Sequence, residues 1–504
     1  MKIFKLIFSR VFLVCIAIAI EFAFIILSLN FWQDAYSWLK TITTCLGVIM
    51  FFNLINRQQL PEMKIPWLVC FMTFPLFGVT LYILISNNKP TRRQLKIINK
   101  TLEKRPINSK RVIEPTGENS HLLGIEEYLH TTTKSYGYSN SDIHFLSSGE
   151  MFWQDLLDNL RTATNFIFME YFIIQKGIMW NSIYEILTEK VKQGVEVFIL
   201  YDDIGTAGKL PASFARKLRK AGIKCRKFNP FIPLISGIHN NRDHRKITVI
   251  DGKIGYVGGI NLADEYINKK SPYGHWKDSA ARIEGQAVKD LTYMFLQMYD
   301  VSQNRLSDYD KYINITDYPK FENSGLVHCF ETGPHTKDNI ALNNFINMIS
   351  SATKSVYITT PYLIIDNSLT TALITASQKG VDVNIIVPHI PDKKIIFGIT
   401  KSSYKNLLKY GIKVYEYTPG FIHSKQVLID EKIAYVGSIN FDYRSLIHHF
   451  ECGVITTDST FINEIKTDFI STINVSELKD LKNVKINKFT QLINTFLAIF
   501  RPLF

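Results

Sequence analysis

The sequence predicts an α/β protein of two pseudo-symmetric α/β lobes with mixed, mainly parallel sheets, preceded by N-terminal transmembrane helices. Three observations carry that expectation. A short motif of His, Lys and Asp occurs twice with the same internal and downstream spacing. The strand–helix pattern around the first copy returns around the second about 180 residues later, a period too long for a solenoid and natural for two lobes. Long apolar runs dominate residues 1–88.

The front end comes first. Val11–Phe31 is about the length that spans a bilayer and carries one charge, Glu21. Ile65–Ser86 is a second strong run, containing Pro75 and Gly78. Between them Trp38–Leu54 is weaker, with Lys40 and several threonines, and reads as a third span, an interfacial helix or a re-entrant piece. Lys2, Lys5 and Arg10 precede the first run, and a basic stretch from Lys89 to Arg111 follows the last. The positive-inside tendency puts both in the cytoplasm, which requires an even number of crossings. Residues 1–88 are therefore expected to be a membrane anchor of two to three apolar helices, and 89–139 a basic linker.

The body is expected as a first lobe over 140–300, a junction over 301–324 and a second lobe over 325–504 that ends in an amphipathic helix, Val484–Phe504. Strands are predicted at Thr164–Phe172 and Val195–Tyr201, with helices through Asn181–Gln193 and Leu210–Ala221. The order returns as strand Lys354–Ile364, helix Leu369–Lys379 and strand Val381–Val387. The alternation argues for βαβ units. An apolar loop, Phe231–Ile235, precedes the first motif and is expected at the rim of the site.

The first motif is H-x-K-x4-D at His244, Lys246 and Asp251, followed by Gly258, Gly259 and Asn261. The second is His423, Lys425 and Asp430, followed by Gly437, Ser438 and Asn440. One copy would arise by chance in roughly one chain in twenty of this length, so a spaced pair signifies. A period of two places His and Lys on one face of a strand. Two such strands meeting across a two-fold-like axis would gather two imidazoles and two ammonium groups in one pocket. That set suits a phosphodiester: Lys246 and Lys425 neutralise the non-bridging oxygens, and the amides of Asn261 and Asn440 add donors. One imidazole can attack phosphorus while the other serves the leaving oxygen, giving double displacement through a phosphohistidine. Each imidazole needs a carboxylate to fix its tautomer. Glu451 is the expected partner of His423, and Asp278 of His244. Asp251 and Asp430 complete the motifs and, following an apolar strand directly, read as turn anchors. A lysine two residues from each histidine disfavours a metal, so no metal or other cofactor is expected.

With NNRDHRKITVIDG, GGIN, HWKDSAARIEG, TTPYLIID, GFIHSKQVLID, VGSINFDYRS, FECG and RPLF, the chain resembles the phospholipase D superfamily, and within it the bacterial cardiolipin synthases of the two-motif, membrane-anchored type. His448 and His449 depart from that pattern, which more often has a Leu-Asn or similar pair there. The resemblance implies two phospholipase D-like lobes that turn two phosphatidylglycerol molecules into cardiolipin and glycerol, with His244 as nucleophile and His423 as general acid. It also implies a multi-pass protein of the bacterial cytoplasmic membrane, with its lobes on the cytoplasmic side among anionic lipids; a homo-oligomer is the one protein partner it leaves open.

The formal charge of +13 favours an anionic partner. Nucleic acid is set aside: the basic residues gather beside the apolar runs, without the basic–aromatic interleaving that stacks bases. Hydrolysis, or transfer to an alcohol such as serine or ethanolamine, would use the same residues.

Overall fold

The computed structural model describes residues 33–86, 89–112, 120–230, 240–321, 325–336 and 338–481. The apolar run Val11–Phe31, the loop Phe231–Ile235 and the C-terminal stretch Val484–Phe504 lie outside the described residues. The chain divides into two compact units, one built on residues 1–89 and the other on 90–230 and 242–494.

In the first unit, Trp38–Leu54 falls within one helix, Gln33–Ile55. The run Ile65–Ser86 is not one helix. Pro75, which supplies no N–H to the preceding turn, divides it at Phe74 into Pro61–Thr73 and Pro75–Ile85. The two pieces pack closely: a Cβ on Gly78 would lie 2.7 Å from the backbone of Cys70. Leu54, Phe71, Val79 and Tyr82 form a small core there. Among the described residues no helix is long and apolar enough to cross a membrane.

The second unit holds both lobes. Its first strands are β1 (Ser141–Leu146), β2 (Phe166–Tyr171), β3 (Glu196–Asp202), β4 (Lys224–Phe228), β5 (Lys246–Ile250), β6 (Ile254–Gly258), β7 (His275–Lys277) and β8 (Ala280–Gly285). Then come β9 (Val327–Thr332), β10 (Ser355–Thr359), β11 (Leu363–Ile364), β12 (Asp382–Pro388), β13 (Lys413–Tyr417), β14 (Gly420–Ile422), β15 (Gln426–Ile429), β16 (Ile433–Gly437), β17 (Phe441–Asp442), β18 (Glu451–Thr456) and β19 (Ser476–Leu478). One sheet runs β1-β8-β6-β5-β2-β3-β4, and the other, read from its far edge, β9-β18-β16-β15-β10-β12-β13-β19. Strand for strand this is one order used twice, with β19 appended.

The sheets are mixed, but they are not mainly parallel. Only β2/β3, β3/β4, β10/β12 and β12/β13 pair in parallel within them. Each motif strand instead turns straight back as a hairpin, β5/β6 and β15/β16, and pairs antiparallel to β2 or β10. The βαβ pattern describes only the half of each sheet that precedes its motif.

The basic stretch expected as a linker contains two helices, Arg92–Leu102 and Ser120–Thr133. Its charges line one side of the first helix while Ile97, Ile98 and Thr101 are buried, Ile97 and Ile98 in the main core. Helix Val288–Gln303, buried over most of its length, packs in the same core. That core joins Phe168, Val249 and Ile283 of one lobe to Leu428, Val436 and Val454 of the other, so the lobes share one interior.

Candidate active site

Each motif histidine sits just before its strand, on a segment hydrogen-bonded to the opposite lobe. In the second motif, β14 pairs in parallel with β7, matching Ile422 to Lys277. His423 then donates its N–H to Lys277 O at 2.6 Å. In the first motif, His244 N–H donates to Phe450 O and Phe450 N–H to Arg242 O, both at 2.9 Å. The residue after Lys277 is Asp278, and the residue after Phe450 is Glu451. Each carboxylate is thereby delivered to the histidine of the other lobe. His244 Nδ1 lies 2.8 and 3.0 Å from the two oxygens of Glu451, and His423 Nδ1 lies 2.6 Å from Asp278 Oδ2. The expected pairing within lobes, Glu451 with His423 and Asp278 with His244, is corrected: the partners are exchanged because the lobes exchange short strands.

Burial sets the protonation states. Both imidazoles are buried and held well below their ordinary pKa, first by loss of water and then by lysine charge. His244 senses Lys246, Lys425 and His423, and His423 senses Lys425 and Lys246, so the four groups form one electrostatic unit. Lys425 Nζ stands 2.8 Å from His423 Nδ1, which is why its charge ranks directly after burial there. Burial lowers Lys246 to about 8 and Lys425 to about 7. Each ammonium donates to the backbone carbonyl of its own motif's histidine. Burial raises Asp278 to about 7 against the pull of Lys425. Neutral imidazoles with Nδ1 turned to a carboxylate leave the Nε2 lone pairs for chemistry.

The asparagines are held by the scaffold. Asn261 Oδ1 accepts from Ile173 N–H at 2.9 Å, and its amide donates to Tyr266 Oη at 2.7 Å. Asn440 Nδ2 donates to Asp442 Oδ2 at 3.1 Å. These bonds orient the amides and use one N–H of each; Asn261 also fixes Tyr266, whose ring stands edge-on to His423 with centroids 5.5 Å apart. Asp251 and Asp430 stand at the far end of β5 and β15 from the histidines, both with φ of 52°. Asp251 accepts from the N–H groups of Thr164, Asn165 and Phe166 and from the Thr164 hydroxyl. Asp430 repeats this with Thr353, Lys354 and Ser355. They tie the motif strand to the start of β2 or β10.

Three groups escaped the sequence reading. Phe172 packs 4.8 Å from His244, and Trp276 5.3 Å from His423, centroid to centroid. Phe172 follows Tyr171, which pairs with Lys246; only knowledge of that antiparallel register would have placed it. Ser438 donates its hydroxyl to Glu451, a contact foreshadowed by its place in the Gly-Ser that matches Gly258-Gly259. Among the described residues, His244, His449 and Glu451 also form a cluster with metal-ligand chemistry.

Paired imidazoles on carboxylate supports, flanked by two lysines at the junction of twin α/β lobes, define an enzyme of phosphodiester transfer. A family profile described as "Cardiolipin synthase, PLD-like domain" matches residues 156–295 and 345–473. The chain belongs to that family of phosphatidyltransferases. A cardiolipin synthase of Halalkalibacterium halodurans is 33% identical over 460 residues, covering 88% of this chain and 89% of that protein. One of Staphylococcus aureus is 34% identical over 447 residues, covering 86% and 89%. An uncharacterised protein of Streptococcus mutans is 37% identical over 456 residues, covering 89% and 98%. Among solved structures, a phosphatidylserine synthase of Haemophilus influenzae shares the fold, with a TM-score of 0.57 at 13% identity over 72% of this chain and 95% of that one.

Proposed function

We propose that this protein makes cardiolipin by phosphatidyl transfer between two phosphatidylglycerol molecules. The observation that carries the reading is the pair of neutral imidazoles, each held at Nδ1 by the other lobe's carboxylate beside Lys246 and Lys425. His244 Nε2 attacks the phosphorus of the first lipid, and the P–O bond to the head-group glycerol breaks. His423 takes up a proton at Nε2 from solvent as the phosphate anion binds beside it, passes that proton to the leaving oxygen, and glycerol departs. The terminal hydroxyl of the second phosphatidylglycerol then gives its proton to His423 and attacks phosphorus. The P–N bond breaks, and His244 is regenerated. The lysines balance the charge on the non-bridging oxygens throughout.

The front end fits a membrane anchor. Trp38, Ile49 and Phe52 on one helix and Met72 and Ile83 on the next two are exposed although apolar, as lipid contact would require. The short helices of the Ile65–Ser86 run, Pro61–Thr73 and Pro75–Ile85, suit a hairpin that enters and leaves one leaflet. The lobes then work on the cytoplasmic face, on anionic lipid.

The test is purified protein with phosphatidylglycerol vesicles and no divalent metal, followed by lipid chromatography. Cardiolipin with equimolar glycerol is expected; phosphatidic acid as the product would assign hydrolysis instead.

A further inference from the structure

A third imidazole, which the transfer does not use, borders the reacting pair. His449 is buried, and neither of its ring nitrogens finds a hydrogen-bond partner among the described residues. Buried polar groups are almost always paired, so such a ring needs an explanation. The π-helical turn Arg444–His448 leads the chain into this position, and His449 N–H donates to Arg444 O at 2.8 Å. The ring stands 5.4 Å from that of His244, centroid to centroid, and Nδ1 lies 3.6 Å from Glu451 Oε1.

We propose that His244, His449 and Glu451 form a binding site for a transition-metal dication of the zinc class, and that its occupancy switches the enzyme off. Two imidazoles and one carboxylate are a donor set that zinc takes, leaving a fourth position open. Tetrahedral bonds of about 2.0–2.1 Å put ligand atoms about 3.3 Å apart. Here the His244–Glu451 separation is 2.8 Å and the His449–Glu451 separation 3.6 Å, and one ligand atom from each residue falls within 4.8 Å of the others. Lys246 and Lys425 do not bar the ion, since each ammonium is held on the backbone carbonyl of its own motif's histidine.

Inhibition follows from the tautomer. A metal on Nδ1 of His244 needs the lone pair there, so the single ring proton moves from Nδ1 to Nε2 by exchange with solvent and Glu451 stays a carboxylate ligand. The neutral imidazole then has no lone pair on Nε2 for phosphorus. The metal is thus an inhibitor, not a cofactor.

The test uses the full-length protein, with Co2+ as an optical probe and Zn2+ as inhibitor. Expected are one tetrahedral Co2+ per chain, seen by its visible absorption, and inhibition by Zn2+ that a chelator reverses. His449→Asn should abolish the Co2+ band and raise the half-inhibiting Zn2+ concentration at least about tenfold, each variant being normalised to its own metal-free rate. His449→Gln serves as a second variant should the first misfold. His389→Asn, in the more exposed cluster with Glu416 and Glu477, should behave as wild type. Unchanged metal responses in both His449 variants, or a loss with His389→Asn instead, would overturn the proposal. The inhibition arm rests on the transfer reading, but the Co2+ band needs no lipid, so failure of that reading would leave the metal site decided on its own.

Discussion

His423 and Asp278 come from different lobes, 145 residues apart in sequence, yet Nδ1 of one lies 2.6 Å from Oδ2 of the other. His244 and Glu451 make the mirror-image contact at 2.8 Å. Neither motif histidine takes its carboxylate from its own lobe, so each half depends on the other for its chemistry. Glu451→Gln should therefore impair the nucleophile, and Asp278→Asn the acid. An amide can donate to Nδ1 and so favour the tautomer with its proton on Nε2, a fault that costs about a hundredfold or more in turnover. A lipid with a nitrophenolate leaving group needs no protonation and separates the two. It should restore phosphoenzyme formation in Asp278→Asn and leave Glu451→Gln slow. Pairing within lobes would give the opposite pattern.

The lysines set the alkaline limb. An ammonium binds the phosphate and a neutral amine does not, so kcat/KM should fall as pH rises through about 7 for Lys425 and about 8 for Lys246. These are free-enzyme groups, and bound phosphate raises both, so the limb in kcat should lie at higher pH than the limb in kcat/KM. Lys425→Arg stays charged and should leave only the later fall, at lower absolute rate. The acid limb belongs to His244, which must be neutral to attack. Burial holds it well below the ordinary histidine range, so activity should persist at pH values that would protonate a solvated histidine, about 6.5 and below. Initial rates across pH in mixed micelles give both limbs.

How far the sequence discloses this arrangement depends on the range of the contact. The motifs, their duplication and the two carboxylates are visible because each is a local pattern: H-x-K-x4-D, HWKD and FECG sit whole within a few residues. Pairing across lobes is not local. It rests on β7 and β14, three residues each, whose register carries no periodic signal. The same limit explains the parallel bias, since β2–helix–β3 has a legible rhythm and the β5/β6 hairpin does not. Arg92–Leu102 fails for another reason. Its charges dominate a composition reading, although Ile97, Ile98 and Thr101 mark a buried stripe at helical spacing.

Asp251 and Asp430 test fold rather than catalysis. Asp251→Ala removes the acceptor for three backbone N–H groups and a hydroxyl, and should lower stability by about 2–4 kcal/mol in denaturant titration. Enzyme that remains folded should keep its kcat. Asp430 adds a pH signature. Burial works against its ionisation, but the Ser355 N–H and the Thr353 hydroxyl outweigh it and hold the carboxyl below its usual range. A depressed pKa means stability that is present above the unfolded value and lost as pH drops below about 4. Asp430→Asn should flatten that part of the acid-unfolding curve.

Gly259 and Ser438 occupy equivalent places, and the difference between them matches the difference between their carboxylates. Ser438 donates its hydroxyl to Glu451 and accepts from Cys452 N–H at 3.0 Å, bracing a long side chain that has rotamers to lose. Beside the shorter Asp278 there is no room for such a group: a Cβ on Gly259 would stand 2.2 Å from Asp278 Oδ1. Gly259→Ala should thus push the carboxylate off His423 and mimic Asp278→Asn, including its rescue by the nitrophenyl lipid. Ser438→Ala removes one hydrogen bond to a charged group, about 1.5–3 kcal/mol, and should slow attack by His244 roughly tenfold to a hundredfold without that rescue. Installing the serine in the first lobe, Gly259→Ser, should be no better than alanine, because it is the Cβ and not the hydroxyl that collides. If Gly259→Ser retains full turnover, the aspartate is not held where the structure puts it.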